Sequence, residues 1–188
     1  DRLCAEPPAT SSFEIPAYAF DRGNAKTFTQ QYADAGPMVA FGGASPIVIE
    51  YDIVFPVDGS YTIRVNYAAQ SPRPVDLYLD EMKIASCCRT ATGTWNTSSA
   101  AWEDSAAVYI APGKHTIKLQ REGAFPHVVS LKFVVANVFP KDWKLERPKA
   151  RTLESPPPVL ASLGYNPADV KIEALRMAIN DLATTFDD

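Results

Sequence analysis

The sequence predicts an all-β protein, an antiparallel β-sandwich of jelly-roll type, followed by a C-terminal linker and one amphipathic helix. Three observations lead there. Tyr61, Ile63, Val65 and Tyr67 alternate with Ser60, Thr62, Arg64 and Asn66, and a period of two sends one set to a core and the other to solvent. Similar short runs recur along the first three quarters of the chain, separated by turn residues such as Asp58-Gly59, Ser71-Pro72 and Pro112-Gly113, the pattern of a sandwich built from at least seven strands. No helical periodicity occurs before residue 160.

In order, residues 1–12 are rich in Pro, Ala and Ser and are expected to form an N-terminal arm. Phe13 to Phe20 reads as an edge strand interrupted by Pro16, because proline cannot donate to a ladder. Asp21 to Asn24 is a turn, and Ala25 to Gly36, with Phe28 and Tyr32 among polar residues and no clean period, is expected to be a long loop. Gly42-Gly43 reads as a bend. Ile47, Ile49, Tyr51, Ile53 and Phe55 alternate with Val48, Glu50, Asp52 and Val54, and Asp58-Gly59 returns this strand antiparallel into the next. Val75 to Leu79 and Met82 to Cys88 are joined by a tight turn at Asp80-Glu81. Residues 89–105 read as a Thr/Ser/Ala/Gly-rich loop carrying Trp95 and Trp102, 108–119 as a hairpin, and Val128 to Val138 as the last strand. The sandwich is thereby placed at 13–139.

Beyond Pro140 the composition shifts. Residues 140–166 carry Lys141, Lys144, Arg147, Lys149 and Arg151 and then Pro156 to Pro158, a basic and Pro-rich linker. In 167–188, Ile172, Leu175, Ile179, Leu182 and Phe186 recur at spacings of three and four after a capping Asn166, a helix whose apolar stripe needs a partner surface. That 167–186 stripe is expected to pack on, or lead to, another domain.

Bulk composition narrows the function. With 188 residues and 46% apolar content the chain can bury one full core. Eighteen basic against 22 acidic side chains give a net charge of −4, which supplies no electrostatic reason for nucleic acid or an anionic membrane as partner. No stretch approaches the run of about 20 apolar residues that a membrane span needs. The start at Asp1-Arg2-Leu3 fits a processed or trimmed end. Three cysteines, Cys4, Cys87 and Cys88, and two histidines, His115 and His127, do not have the spacing of a zinc site. A staple from Cys4 to Cys87 or Cys88 is expected, with a redox pair or vicinal disulfide as the alternative; the staple would imply an oxidising compartment, secreted or periplasmic.

Five segments in order resemble carbohydrate-binding modules of families 6 and 35: Gly59 to Ala68, Val75 to Asp80, Thr92-Gly-Thr-Trp95, Val108 to Leu119, and Pro126 to Phe133. The resemblance covers roughly residues 13–135 and implies a galactose-binding-like sandwich attached to a secreted enzyme acting on polysaccharide. It implies that Tyr32 and Trp95 grip a sugar ring, the apolar face of a pyranose stacking on an aromatic ring. Trp102 is a further candidate, and Phe41 is a weaker substitute for Tyr32. Where the family has asparagine and aspartate this chain has His127 and Val129; His127 is expected to donate to a sugar hydroxyl. Of the family's paired N-terminal glutamates only Glu14 remains, Pro16 standing where the second would be. A family-type calcium site is therefore incomplete, although backbone carbonyls could hold an ion. No cofactor is expected.

An enzyme is not indicated. Glu50 with Asp52, and Asp76 with Asp80, lie on the solvent faces of their strands and point away from one surface rather than across a cleft. Asn96-Thr97-Ser98 is a glycosylation sequon, relevant only in a eukaryotic secretory setting. The expected function is a non-catalytic carbohydrate-binding module, accessory to a larger secreted polysaccharide-active or oxidoreductase protein. Its expected partners are a poly- or oligosaccharide and a catalytic domain. The alternative is a structural or docking sandwich that has lost sugar binding.

Overall fold

The structure is a computed structural model and describes residues 9–41 and 44–146. The chain divides into two units, Asp1–Arg151 and Thr152–Asp188; the described residues belong to the first, and the expected helix lies outside them. Among the described residues eleven strands follow in order: β1 Ser11–Pro16, β2 Arg22–Gly23, β3 Lys26–Phe28, β4 Met38–Ala40, β5 Ile47–Phe55, β6 Gly59–Ala68, β7 Val75–Leu79, β8 Met82–Cys87, β9 Ala101–Ile110, β10 Gly113–Arg121 and β11 His127–Val135. One sheet has the order β3-β4-β11-β6-β9 with β1 also on β11, and the other has the order β2-β5-β10-β7-β8. All pairings are antiparallel.

The alternation in the sequence sets which side of each sheet faces in. Ile47, Ile49, Tyr51, Ile53 and Phe55 of β5 and Tyr61, Ile63, Val65 and Tyr67 of β6 are all buried, and they meet Leu131, Phe133 and Val135 of β11 in one core. Phe13, Phe55 and Phe133 form its aromatic centre, with Phe13 and Phe133 stacked at 4.9 Å and Phe55 edge-on to both. Burial on this scale is the main favourable contribution to folding. The buried tyrosines keep their hydroxyls bonded, Tyr51 to the Ala17 carbonyl at 2.7 Å and Tyr61 to that of Val57 at 2.9 Å, so neither is left as a costly orphan.

Proline 16 has a topological use. β1 runs along β11 from Ser11 opposite Val135 to Pro16 opposite Ser130, and β4 takes over the same edge at Val39 opposite Val128. A residue without an N–H ends one ladder where the next begins.

The structure differs from the sequence expectations in several boundaries. β1 starts at Ser11, inside the expected arm, because Ser11 and Ser12 already pair with Val135 and Val134. The expected loop 25–36 contains β3, a three-residue edge strand held by β4 rather than by a period of its own. The expected loop 89–105 ends at Ala100, since β9 begins at Ala101 and pairs with β6. β11 stops at Val135, three residues early. Asp80 lies past the end of β7, in the turn, with φ 46°. Cys87 and Cys88 are both buried free thiols with sulfurs 3.6 Å apart; Cys4 lies outside the described residues. Burial holds the Cys88 thiol well above its ordinary pKa. Among the described residues no helix is long and apolar enough to cross a membrane.

Candidate functional site

The hairpin registers bring four connections to one end of the sandwich. His127 stands opposite Ala68, Tyr67 opposite Ala101, Val75 opposite Cys87, and Arg121 opposite Ile47. The β4–β5, β6–β7, β8–β9 and β10–β11 connections therefore leave from the same rim. They carry Arg73 and Trp95, with His127 at the first position of β11; Tyr32, in the β3–β4 connection, is brought to them by its ring contact with His127 and its hydrogen bond from Thr97.

The three rings make one cluster with His127 in the middle. The His127 ring lies 5.2 Å from Tyr32 and 5.3 Å from Trp95, tilted against both. His127 is 8% exposed and Tyr32 40%, so the histidine is the floor and the tyrosine a flank. Trp95 is half-buried and packs on the core. The Arg73 guanidinium lies over the indole, 3.9 Å from its centroid.

Local hydrogen bonds fix this arrangement. Tyr32 has φ 61°, a left-handed conformation uncommon for a bulky residue, and its carbonyl accepts the Thr97 N–H at 2.8 Å. Thr97, 5% exposed, accepts the Ala35 N–H on its hydroxyl at 2.8 Å, and that hydroxyl is 3.1 Å from Asp34 Oδ1. Asp34 also accepts the Ser98 N–H at 2.9 Å and the Ser98 hydroxyl at 2.5 Å. These bonds to Ser98 hold its carboxyl below the usual pKa. The Tyr32 loop and the Thr97–Ser99 turn are thus stapled together, an ordering done before any ligand arrives.

His127 is the residue whose role the structure revises. Its Nδ1 stands 2.5 Å from the Trp95 carbonyl, which can only accept, so Nδ1 carries the proton. Burial lowers the pKa of the ring; the Trp95 carbonyl opposes this and the Arg73 cation adds to it. A neutral ring with its one proton on Nδ1 has Nε2 as an acceptor. The ring nitrogen left over is thus an acceptor, where the resemblance implied a donor.

Trp102 does not join the cluster. It sits on β9 opposite Asn66, on the outer face of its sheet, 37% exposed, with the Arg64 guanidinium 5.6 Å from its ring. The mistaken loop assignment placed it at the rim. Phe41 is half-buried against the core. Arg73 was missed because a lone arginine between Pro72 and Pro74 carries no pattern; only proximity reveals it.

The metal expectation can be tested on the side chains. Glu14 is opposite Lys132 in the ladder, and among the described residues no group of three or more His, Cys, Asp or Glu could hold an ion. Among the described residues the side chains do not fit a calcium site of the family type. The carboxylates on the other sheet are engaged with cations: Arg22 bonds Glu50 at 2.8 Å and Asp52 at 2.8 and 2.9 Å, and Lys83 bonds Asp76 at 2.8 Å. These bonds pull the Asp52 carboxyl well below its ordinary range and lower that of Asp76.

No family model matches the chain, and no curated protein does. Solved structures do match. Residues amounting to 65% of the chain superpose on 97% of a family 35 carbohydrate-binding module from Clostridium thermocellum, at 19% identity and a TM-score of 0.52. The chain has the fold of these modules. A family 35 module from Paenibacillus barcinonensis is matched over 97% of its length and 64% of this chain, at 21% identity and a TM-score of 0.53. In a Podospora anserina β-(1,4)-mannanase carrying a family 35 module, 29% of that chain is matched by 69% of this one, at 16% identity and a TM-score of 0.56. At these identities the likeness is one of fold.

Proposed function

We propose that the chain is a non-catalytic carbohydrate-binding module whose ligand site is the loop-end cluster of Tyr32, His127 and Trp95. The observation that carries this is the convergence of three rings, two from separate connections and His127 from the first position of β11, with Tyr32 held in a left-handed backbone and exposed. An exposed, preorganised aromatic ring beside a buried acceptor suits a pyranose, which offers an apolar face and hydroxyls on one body. The fold shared with family 35 modules supports the same reading.

The finer reading is an accessory role in a larger secreted protein, with the 167–186 segment as the connection to a catalytic domain. The mannanase match, in which the fold is one part of a longer enzyme, supports this accessory role. The test is calorimetric titration of the whole chain with xylo-, manno- and laminari-hexaose. At least one is expected to bind, with Tyr32→Ala abolishing binding and His115→Ala, at the far end of β10, leaving it intact. Absence of binding to all three would favour the alternative, a docking sandwich, and would end the sugar reading.

A further inference from the structure

Cys88 breaks the alternation of the strand that leads into it. In β8, Ser86 lies on the solvent side, where its hydroxyl donates to Asp76 at 2.8 Å, and Cys87 is buried opposite Val75. A strand that simply continued would send the next side chain out to solvent. Cys88 is instead fully buried and belongs with Cys87 to the core cluster. Its φ of 58° accounts for this, because a left-handed residue at the strand end turns its side chain back towards the side of Cys87. A non-glycine residue seldom holds that conformation unless its surroundings impose it. The result is two sulfurs side by side in the interior, with the Cys88 thiol donating to the Cys87 sulfur at 3.6 Å.

We propose that Cys87 and Cys88 are an oxidation site, closing to a disulfide between adjacent residues with an organic disulfide such as oxidised glutathione as the oxidant. One thiolate attacks the organic disulfide, forming a mixed disulfide and releasing a first thiol. The neighbouring thiolate then attacks the protein sulfur of that mixed disulfide, forming the Cys87–Cys88 bond and releasing a second thiol. Two protons and two electrons leave the cysteines, and one organic disulfide becomes two thiols. Adjacent Cα atoms stand about 3.8 Å apart, nearer than the roughly 4.4–6.8 Å of ordinary disulfides, so a free chain seldom closes this ring and the bond, once made, is readily reduced. The fold supplies what the free chain lacks, both side chains on one side with their sulfurs in contact. Burial, and after it the Cys87 thiol, hold the Cys88 thiol above its ordinary pKa, which keeps thiolate scarce in the finished fold. The exchange therefore takes place while the chain folds. The closed ring would stiffen the start of the β8–β9 connection, which carries Trp95. None of this depends on the sugar reading.

The test is refolding of the full reduced chain from urea in a mixture of reduced and oxidised glutathione. The folded monomer is then quenched in acid, alkylated under denaturing conditions and digested with trypsin. Cleavage after Lys83 and Arg89 leaves both thiols in the single peptide 84–89. That peptide is expected unalkylated, lighter than its reduced form by two hydrogens and joined to nothing else, and Cys4→Ser should give the same result. A peptide 84–89 that is doubly alkylated, carries glutathione, or is cross-linked to the Cys4 peptide or to a second chain overturns the inference. The same mixture applied to chain kept in urea should leave most of the peptide alkylated, and equal closure there would show that the fold is not what brings the sulfurs together, which also refutes the proposal. Raising the share of reduced glutathione over the closed, folded protein under mild urea should reopen the bond; a bond that stays shut is not the strained ring described.

Discussion

The Thr97 hydroxyl makes part of the staple between the Tyr32 loop and the Thr97 turn, and Thr97→Val removes that part while keeping the shape of the side chain and the Tyr32–Thr97 and Asp34–Ser98 bonds. The Ala35 N–H loses its 2.8 Å acceptor and Asp34 loses a 3.1 Å donor. A hydrogen bond between neutral groups is worth about 1 kcal/mol net and one to a charged group about 1.5–3 kcal/mol. Ala35 and Asp34 are exposed, so water recovers part of each. The added methyl, buried at a site 5% exposed, returns up to about 0.8 kcal/mol. The net cost is then about 1–2 kcal/mol, or roughly 2–8 °C in Tm for a domain of this size. Urea unfolding followed by tryptophan fluorescence measures it, with Thr97→Ser as the control that keeps the hydroxyl. Loosening the staple should also let Tyr32 leave its left-handed conformation more easily, so sugar affinity should fall more in Val than in Ser. If Thr97→Val unfolds at the same urea concentration as the wild type, or if Thr97→Ser falls as far, the hydroxyl is not what joins the loops.

Three other outcomes follow from the structure. The folded pKa of His127 is depressed below its unfolded value of about 6.5, so the unfolded chain takes up the proton first and stability declines as pH falls from about 7 through 6.5 towards the folded value; His127→Asn should flatten that decline, and an identical pH slope in the variant would count against a buried neutral imidazole. A Cβ added at Gly23, where φ is 149°, would stand 2.2 Å from the Val48 carbonyl oxygen, so Gly23→Ala should lose the β2–β5 pairing and more than about 1 kcal/mol of stability, with an unshifted Tm as the contrary result. In the reduced native protein Cys88, fully buried and with its thiol pKa raised, should resist Ellman's reagent until urea is added; rapid native labelling would show that the β8–β9 connection opens readily.

The sandwich was legible in the sequence because its longest strands have one wet and one dry face. In β5 and β6 the apolar residues fall on alternate positions without a break, and the registers follow from the turn at Asp58-Gly59. The short strands were not legible. β3 and β4 have three residues each and exist because β11 provides an edge, a contact between positions about 90 apart that no local pattern encodes. Trp102 was misplaced for a related reason: Ala100-Ala101-Trp102 has little strand character, yet β6 holds Ala101 and Trp102 in register. Tyr32, Trp95 and His127 could be picked out from the family resemblance, but their common rim depends on four hairpin registers. The direction of the His127 hydrogen bond depends on a carbonyl 32 residues away in sequence.

The position of β11 bears on how the chain is made. The last of the described strands to be synthesised lies inside its sheet, with β6 on one edge and β1 and β4 end to end on the other. Until residue 135 has left the ribosome, β1 has no neighbour and β4 is joined only to β3. The edge of β6 that faces them also stands open. An emerging chain must therefore wait with an unpaired, apolar strand border, the condition under which nascent β proteins most need a holding chaperone. A stop anywhere before His127 would leave two half-sheets and neither a floor nor a rim for the ring cluster.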